Sequence, residues 1–293
     1  MTQQNTRRGI WLMVATAIIF AIQDAMSRHL AGTYNTWMVV MIRFWVLAAF
    51  ATIMVMRMPG GIRGALATRH PGLQTARGVI LVVEIMLAIV SFTIVGLVNS
   101  HAIFAFYPLL IVALSGPILG ERIGWRRWTA VAVGLVGVLV ILQPGSGMFG
   151  PGAVLQVAAT CMFAVYGLLT RKVGNSDPAM VSLFWVGIIG MVISTAVGIW
   201  HLEPMATSDM VMLGVLSCTA IAGHLAMIRA YEVAEASVIQ PFAYLQLVFV
   251  TGLGVWLFGE TLTMNVLIGG LIVVSASLFA MLRGRRLARA GRG

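Results

Sequence analysis

Residues 114–140 read LSGPILGERIGWRRWTAVAVGLVGVLV, and residues 253–279 read LGVWLFGETLTMNVLIGGLIVVSASLF. The pair Gly120-Glu121 matches Gly259-Glu260. Small residues stand at the same offsets from each glutamate, Ala130 and Gly137 after the first, Gly269 and Ala276 after the second. Each Gly-Glu separates two long apolar runs, the fourth from the fifth and the ninth from the tenth. The chain therefore reads as two five-span halves. Five is odd, so the second half enters the membrane in the opposite sense and the repeat is inverted. Glu121 then falls among arginines, and Glu260 in a loop that holds none. Taken alone, each Gly-Glu is a helix-end turn with a fixed carboxylate.

The composition demands a membrane. Of 293 residues, 60% are hydrophobic and 10% charged, against about a quarter charged in soluble domains. Runs of about 20 apolar residues indicate helices rather than a barrel. Ten such runs are expected, at 9–30, 35–56, 77–98, 100–119, 127–143, 151–170, 179–200, 208–229, 237–258 and 264–283. The longest connection is RMPGGIRGALATRHPGLQTAR, between spans 2 and 3. Arg7 and Arg8 before the first run resemble a secretory signal, but the run is too long for one and holds Asp24, so it reads as a retained anchor. The expected fold is all-α integral membrane, ten transmembrane helices in two inverted five-helix repeats, residues 1–144 and 145–293.

Charge sets the orientation. With the N-terminus cytoplasmic, every one of the 19 Lys and Arg residues falls inside except Arg28 and Arg43, and the loops AGTYN, QPGSGMFGPG, HLEPMATSD and GETLTMN carry none. This is the positive-inside pattern, with both termini cytoplasmic in a bacterial plasma membrane. The net charge of +10 is then a membrane-surface property, and the basic tail RGRRLARAGRG is expected at anionic headgroups rather than on nucleic acid. Cys161 and Cys218 read as small core residues without a disulfide. Inverted repeats are a signature of secondary transporters, whose site forms between the halves near mid-membrane.

The two Gly-Glu helix ends, the run ERIGWRRWTAVAVGLVGVLVILQPG and the stretch ASVIQPFAYLQLVFV resemble the EamA-type branch of the drug/metabolite transporter superfamily over nearly the whole chain. FAIQDAMSRHLA and VVMIRFW are similar to one bacterial subset of it. The resemblance implies ten helices in two inverted halves and a central cavity lined mainly by helices 1, 3, 4, 6, 8 and 9. It implies substrates among amino acids, their derivatives, riboflavin or S-adenosylmethionine. The chain departs from the pattern at IVGLVNSHAI, where relatives carry a Pro-Leu-Ala-type segment.

Charges within spans mark candidate sites, because one at a helix centre costs roughly 2.5–3.5 kcal/mol on insertion scales. Asp24 lies late in span 1, with Gln23 beside it, Arg28 one turn on and Arg43 at similar depth in span 2. It reads as a structural ion pair with Arg43 or Arg28, as a substrate or gating group, or as a snorkelling side chain with neither job. Glu84 in span 3 shares its face with Ala88 and Ser91 and is a candidate for binding a proton or an ammonium group, or for a hydrogen-bonded structural role. His101 and His224 read as core histidines bonded to backbone or as cavity lining. Two lone histidines make no metal site, and no metal or other cofactor is expected. Tyr107, Tyr166, Trp185, Gln240, Tyr244 and Gln246 complete a polar and aromatic group that could clamp a zwitterion or a planar ring. Gln240-Pro241 stands where a proline breaks the helix. The small residues of span 5 allow close packing, within the bundle or in a homodimer.

The expected function is alternating-access transport of a small polar metabolite, an amino acid or derivative, in the export direction, with protons as a candidate co-substrate. The alternative is uptake of a vitamin or nucleoside-type cofactor such as riboflavin or S-adenosylmethionine. No metal-spaced cluster or Ser/His/Asp set supports an enzyme, and no P-loop supports an ATP-driven pump.

Overall fold

A computed structural model describes residues 3–120, 124–143, 150–174, 176–234, 239 and 242–290. Glu121, the expected boundary at 144/145, Gln240-Pro241 and the side chains of the basic tail lie outside the described residues. Among the described residues the regular elements are all helical: α1 (Gln3–Thr33), α2 (Thr36–Met56), α3 (Gly61–Leu66), α4 (Pro71–Val95), α5 (Leu97–Phe104), α6 (Tyr107–Leu119), α7 (Trp125–Leu142), α8 (Pro151–Val173), α9 (Ala179–Gly198), a 3-10 turn (Ile199–His201), α10 (Thr207–Val233), α11 (Leu245–Phe258) and α12 (Met264–Ala290). Among the described residues eight helical segments are long and apolar enough to cross a membrane, α5 and α6 counting together as one, and Leu245–Phe258 and Met264–Ala280 are shorter apolar helices.

Local chemistry places the ends. Asn35 precedes α2 in an extended conformation, and its side chain accepts from the Met38 amide, the ordinary polar N-cap. Pro71 and Pro151 open α4 and α8, where the missing N–H is no loss. Because α4 starts at Pro71, Gln74 and Arg77 are helical rather than part of the connection, and the remaining loop folds its own short α3. Gly120 and Gly259 both end their helices in the left-handed region, at φ 73° and 61°. That conformation suits glycine, and its recurrence gives Gly120 and Gly259 the same backbone role.

Span 4, expected as one helix, is broken at Ala105-Phe106 into α5 and α6. Pro108 in the first turn of α6 has no N–H to offer the preceding turn, which favours the break. Broken helices at membrane depth are tolerated where they line a cavity.

The main packing partners cross the chain midpoint: α1 with α10, α2 with α9, α4 with α8, α5 with α11, and α7 with α12. Exchanging α1 with α8, α2 with α9, α4 with α10, α5 with α11 and α7 with α12 leaves this pairing unchanged. The small residues of span 5 are used within the bundle. A Cβ on Gly137 would stand 2.9 Å from the carbonyl oxygen of Gly269, so α7 and α12 meet where only glycines fit. The buried apolar residues form one large cluster around α1, α2, α4, α8 and α9 and a second around α5, α7 and α12. Cys161 and Cys218 are exposed on the outer, apolar surface. Both sit on faces turned away from the core, which corrects the expectation of core packing. Exposed Ile, Leu, Val and Trp side chains cover the same surface, as a lipid solvent requires.

Candidate functional site

A cavity of about 60 Å³ opens within the larger cluster, walled by its Phe20, Leu81, Ile85, Ile89 and Phe92. Its polar lining comes from α1 (Gln23, Asp24), α2 (Arg43), α4 (Glu84), α5 (His101), α8 (Gln156), α10 (His224) and α11 (Gln246), and its apolar lining includes Phe20, Phe92, Phe104 and Phe163. Each of these polar side chains sits in the apolar stretch of a membrane-length or apolar helix, where it carries a desolvation cost that packing alone does not return.

Arg43 and Glu84 are 3% and 4% exposed. Among the described residues neither has an ion-pair partner within 4 Å. Both line the cavity, so a cation and a carboxylate face one space without neutralising each other by contact. Gln23 Oε1, Gln156 Oε1 and His224 Nδ1 are buried and have no hydrogen-bond partner among the described residues. Satisfied polar groups are the rule in interiors. Three unused polar positions belong to residues that line one cavity.

Asp24 pairs with neither arginine. Its Oδ2 lies 3.0 Å from His101 Nε2 and accepts from Gln246 Nε2 at 3.0 Å. His101 Nδ1 lies 3.1 Å from the Leu97 carbonyl, the backbone bond expected of a core histidine, and its ring stacks on Phe92 with centroids 5.1 Å apart. Arg28 points away from Asp24 to Glu260, and its guanidinium also sits 4.0 Å over the Phe258 ring. This corrects two expectations, a pairing of Asp24 with an arginine and a Glu260 with no arginine near it. In both cases the partners are distant in sequence.

Glu260 does more than pair with Arg28. Its two carboxylate oxygens accept from the Leu97 and Val98 amides, each at 2.7 Å. Those amides belong to the first turn of α5, where a carboxylate satisfies orphan N–H groups and the helix dipole together. One residue after the αL glycine of α11 thus holds the helix that carries His101. The end of the bundle where α1 finishes is tied again by Tyr34 Oη donating to Asp209 at 2.8 Å and by Asn35 Nδ2 donating to Glu203 at 2.6 Å.

The opposite end has its own polar tie. Gln74 Nε2 donates to Asp177 at 2.8 Å, Thr68 also donates to Asp177, and Arg77 donates to Gln74 Oε1 at 2.5 Å and to Thr170 Oγ1 at 3.0 Å. Arg77 is fully buried. The expected cytoplasmic arginine thus holds α4 to α8 and, through Gln74, to the α8–α9 turn.

Of the ten candidate residues, the structure brings Gln23, Asp24, Arg43, Glu84, His101 and His224 together. Tyr107 and Tyr166 stand one layer back, packed around Phe163, Tyr107 edge-on with centroids 5.1 Å apart and Tyr166 tilted at 6.0 Å. Tyr166 also lies beneath Arg77. Tyr244 is buried in the second cluster with α7 and α12 residues, away from the cavity, because α11 turns Gln246 inward instead. Trp185 donates to the Ala65 carbonyl at 2.9 Å and is structural. Gln156 was not anticipated. Its signal was an amide five residues into an apolar run.

A bundle of apolar helices around a buried, oppositely charged cavity is the architecture of a multi-pass membrane transporter. The chain belongs to the EamA-like transporter family, whose pattern matches it twice, over residues 7–143 and 150–282. It is 24% identical over 274 residues to an S-adenosylmethionine uptake transporter of Rickettsia prowazekii (strain Madrid E), covering 92% of this chain and 91% of that protein. It is 26% identical to a riboflavin transporter of Vibrio cholerae serotype O1, with 92% and 91% covered. It is 19% identical to the pseudopaline exporter CntI of Pseudomonas aeruginosa, with 96% and 98% covered. A solved crystal structure superposes with a TM-score of 0.66 at 18% identity over 98% of this chain and 99% of that one, which shows a shared fold. The family and its transporter-named members make the chain a transporter rather than an enzyme.

Proposed function

We propose that this protein is a secondary carrier for a small polar metabolite with an amino-acid head group. Arg43 would take the carboxylate of that head and Glu84 its ammonium, with Gln23, Gln156 and His224 completing the hydrogen bonds. The observation that carries the reading is the pair of buried, opposite, uncontacted charges on one cavity. Salt bridging between them would neutralise the site. Held apart, they match a zwitterion.

Two inverted five-helix halves would rock about this site, and the unchanged helix pairing on exchange of the halves supports that motion. The charge map supports cytoplasmic termini, which makes the Glu260 end extracellular and the Asp177 end cytoplasmic. Direction follows the gradients of the solute and of any coupled ion, since the cavity offers the same chemistry to either side. Ligand pockets run to about 300–1,000 Å³, so a cavity of about 60 Å³ corresponds to a contracted state that opens to admit its solute.

A second reading, a planar vitamin such as riboflavin, is favoured by the four phenylalanines on the cavity wall. S-adenosylmethionine carries both an amino-acid head and a planar base. The melting temperature of the purified protein separates these readings, because a ligand of the folded state raises it by mass action. Stabilisation by methionine or S-adenosylmethionine, lost in Glu84→Gln, is expected. Stabilisation by riboflavin alone would replace the head-group reading with the second one.

A further inference from the structure

The contacts of His101 count protons. Its Nδ1 faces the Leu97 carbonyl oxygen at 3.1 Å, and a carbonyl can only accept, so that bond needs a hydrogen on Nδ1. Its Nε2 faces Asp24 Oδ2 at 3.0 Å, and that bond needs a hydrogen on one of the two atoms. A neutral histidine beside an ionised aspartate has one hydrogen for two contacts. One contact would then set lone pair against lone pair. Both are satisfied only by one further proton, on Nε2 as an imidazolium–carboxylate pair or on Oδ2 as a neutral pair.

We propose that Asp24 and His101 form a proton-binding site at the Glu260 end of the cavity, separate from the Arg43–Glu84 clamp, and that its proton fastens α1 to α5. Calling that proton a coupled ion rests on the carrier reading; the binding site itself does not. Uptake from water forms one N–H or O–H bond with a lone pair of Nε2 or Oδ2 and changes the charge of the pair from minus one to zero. Gln246 stands beside both partners, donating to Oδ2 at 3.0 Å with the same nitrogen 3.5 Å from Nε2. When the proton leaves, the amide can turn to serve the ring nitrogen. The pair thus joins α1 and α5 to α11 by bonds whose number depends on one proton.

The surrounding charges are consistent with this use. On α1, Arg28 is engaged by Glu260. Arg43 from α2, Glu84 from α4 and His224 from α10 share the cavity with the pair, while α8 and α11 contribute amides there. Glu260 holds the first turn of α5 and Arg28 lies one turn beyond Asp24, so α5 is fastened to α1 at two points. Loss of the proton releases one of them.

The test is a pH titration of the full chain in lipid nanodiscs with 15N-labelled histidine, followed by NMR from about pH 5 to 9. The chain has five histidines, and the His101 signals are assigned by their loss in His101→Gln. A single step with pH in the His101 ring-nitrogen signals, abolished in Asp24→Asn and retained in Glu84→Gln, is expected. If Asp24→Asn fails to fold, Gln246→Leu replaces it and is expected to move the midpoint by removing a donor to the carboxylate. His101 ring-nitrogen signals that stay constant across the whole range overturn the proposal. So does a step that vanishes in Glu84→Gln, or one that ignores both Asp24→Asn and Gln246→Leu. Failure of the head-group reading would appear in ligand binding and leave this titration untouched.

Discussion

Glu84 and Arg43 each give up hydration without gaining a contact ion pair, and a solute is what would return that loss. Charge-assisted hydrogen bonds are worth about 1.5–3 kcal/mol, or roughly tenfold to a hundredfold in affinity. Glu84→Gln and Arg43→Gln should each weaken binding of an amino-acid ligand by about that factor in isothermal titration calorimetry. Neutralising a buried charge that lacks a partner also removes a desolvation cost. The same variants should therefore melt at or above the wild-type temperature. A structural pair would behave in the opposite way, losing stability first. Asp24 was legible as an anomaly, an acid in an apolar run, but not its partner. The basic residue one turn on in sequence is Arg28, whereas the fold delivers a histidine from α5 and an amide from α11.

At the scale of elements, Glu260 shows which part of a motif can be read in sequence. The helix end was legible because an αL glycine followed by a polar residue has few other uses. The carboxylate's load was not, because Leu97, Val98 and Arg28 reach it only through the fold. Glu260→Ala leaves two amides and a cation without their acceptor. Hydrogen exchange at Leu97 and Val98 should rise, with a loss of about 1–3 kcal/mol in stability; unchanged protection there would remove the tie from the account. The break between α5 and α6 was missed although Pro108 signalled it, because hydropathy runs unbroken across 100–119. The small residues of span 5 were recognised, and the contact they serve is α7 on α12. Gly137→Leu should destabilise by about 1–3 kcal/mol through overpacking, measured as a lower thermal midpoint. An unchanged midpoint would mean that the helices do not meet at Gly137 and Gly269.

For the whole molecule, polar ties stand at the two ends of the bundle, Glu260 with α5 and Arg28 at one, Asp177 with Thr68 and Gln74 at the other. Alternating access requires one tie to open while the other holds. Weakening them separately should bias the carrier in opposite senses. In a background with Cys161→Ser and Cys218→Ser, Ala88→Cys places a reporter on the cavity wall. A membrane-impermeant thiol reagent should reach it from outside when combined with Glu260→Ala, and from inside when combined with Asp177→Ala. Labelling from the same side in both would contradict the two-gate arrangement.

The central claim is that Arg43 and Glu84 hold the two charges of an amino-acid head, and counterflow in proteoliposomes tests it most directly. Vesicles loaded with unlabelled methionine, or with S-adenosylmethionine, are diluted into trace labelled solute, and label entry is followed for wild type, Glu84→Gln and Arg43→Gln. The account predicts accumulation by the wild type with at least one of the two solutes and near-background entry in both variants, with the folded protein intact. Full counterflow in either variant, or wild-type exchange of riboflavin with neither amino-acid solute carried, would contradict it.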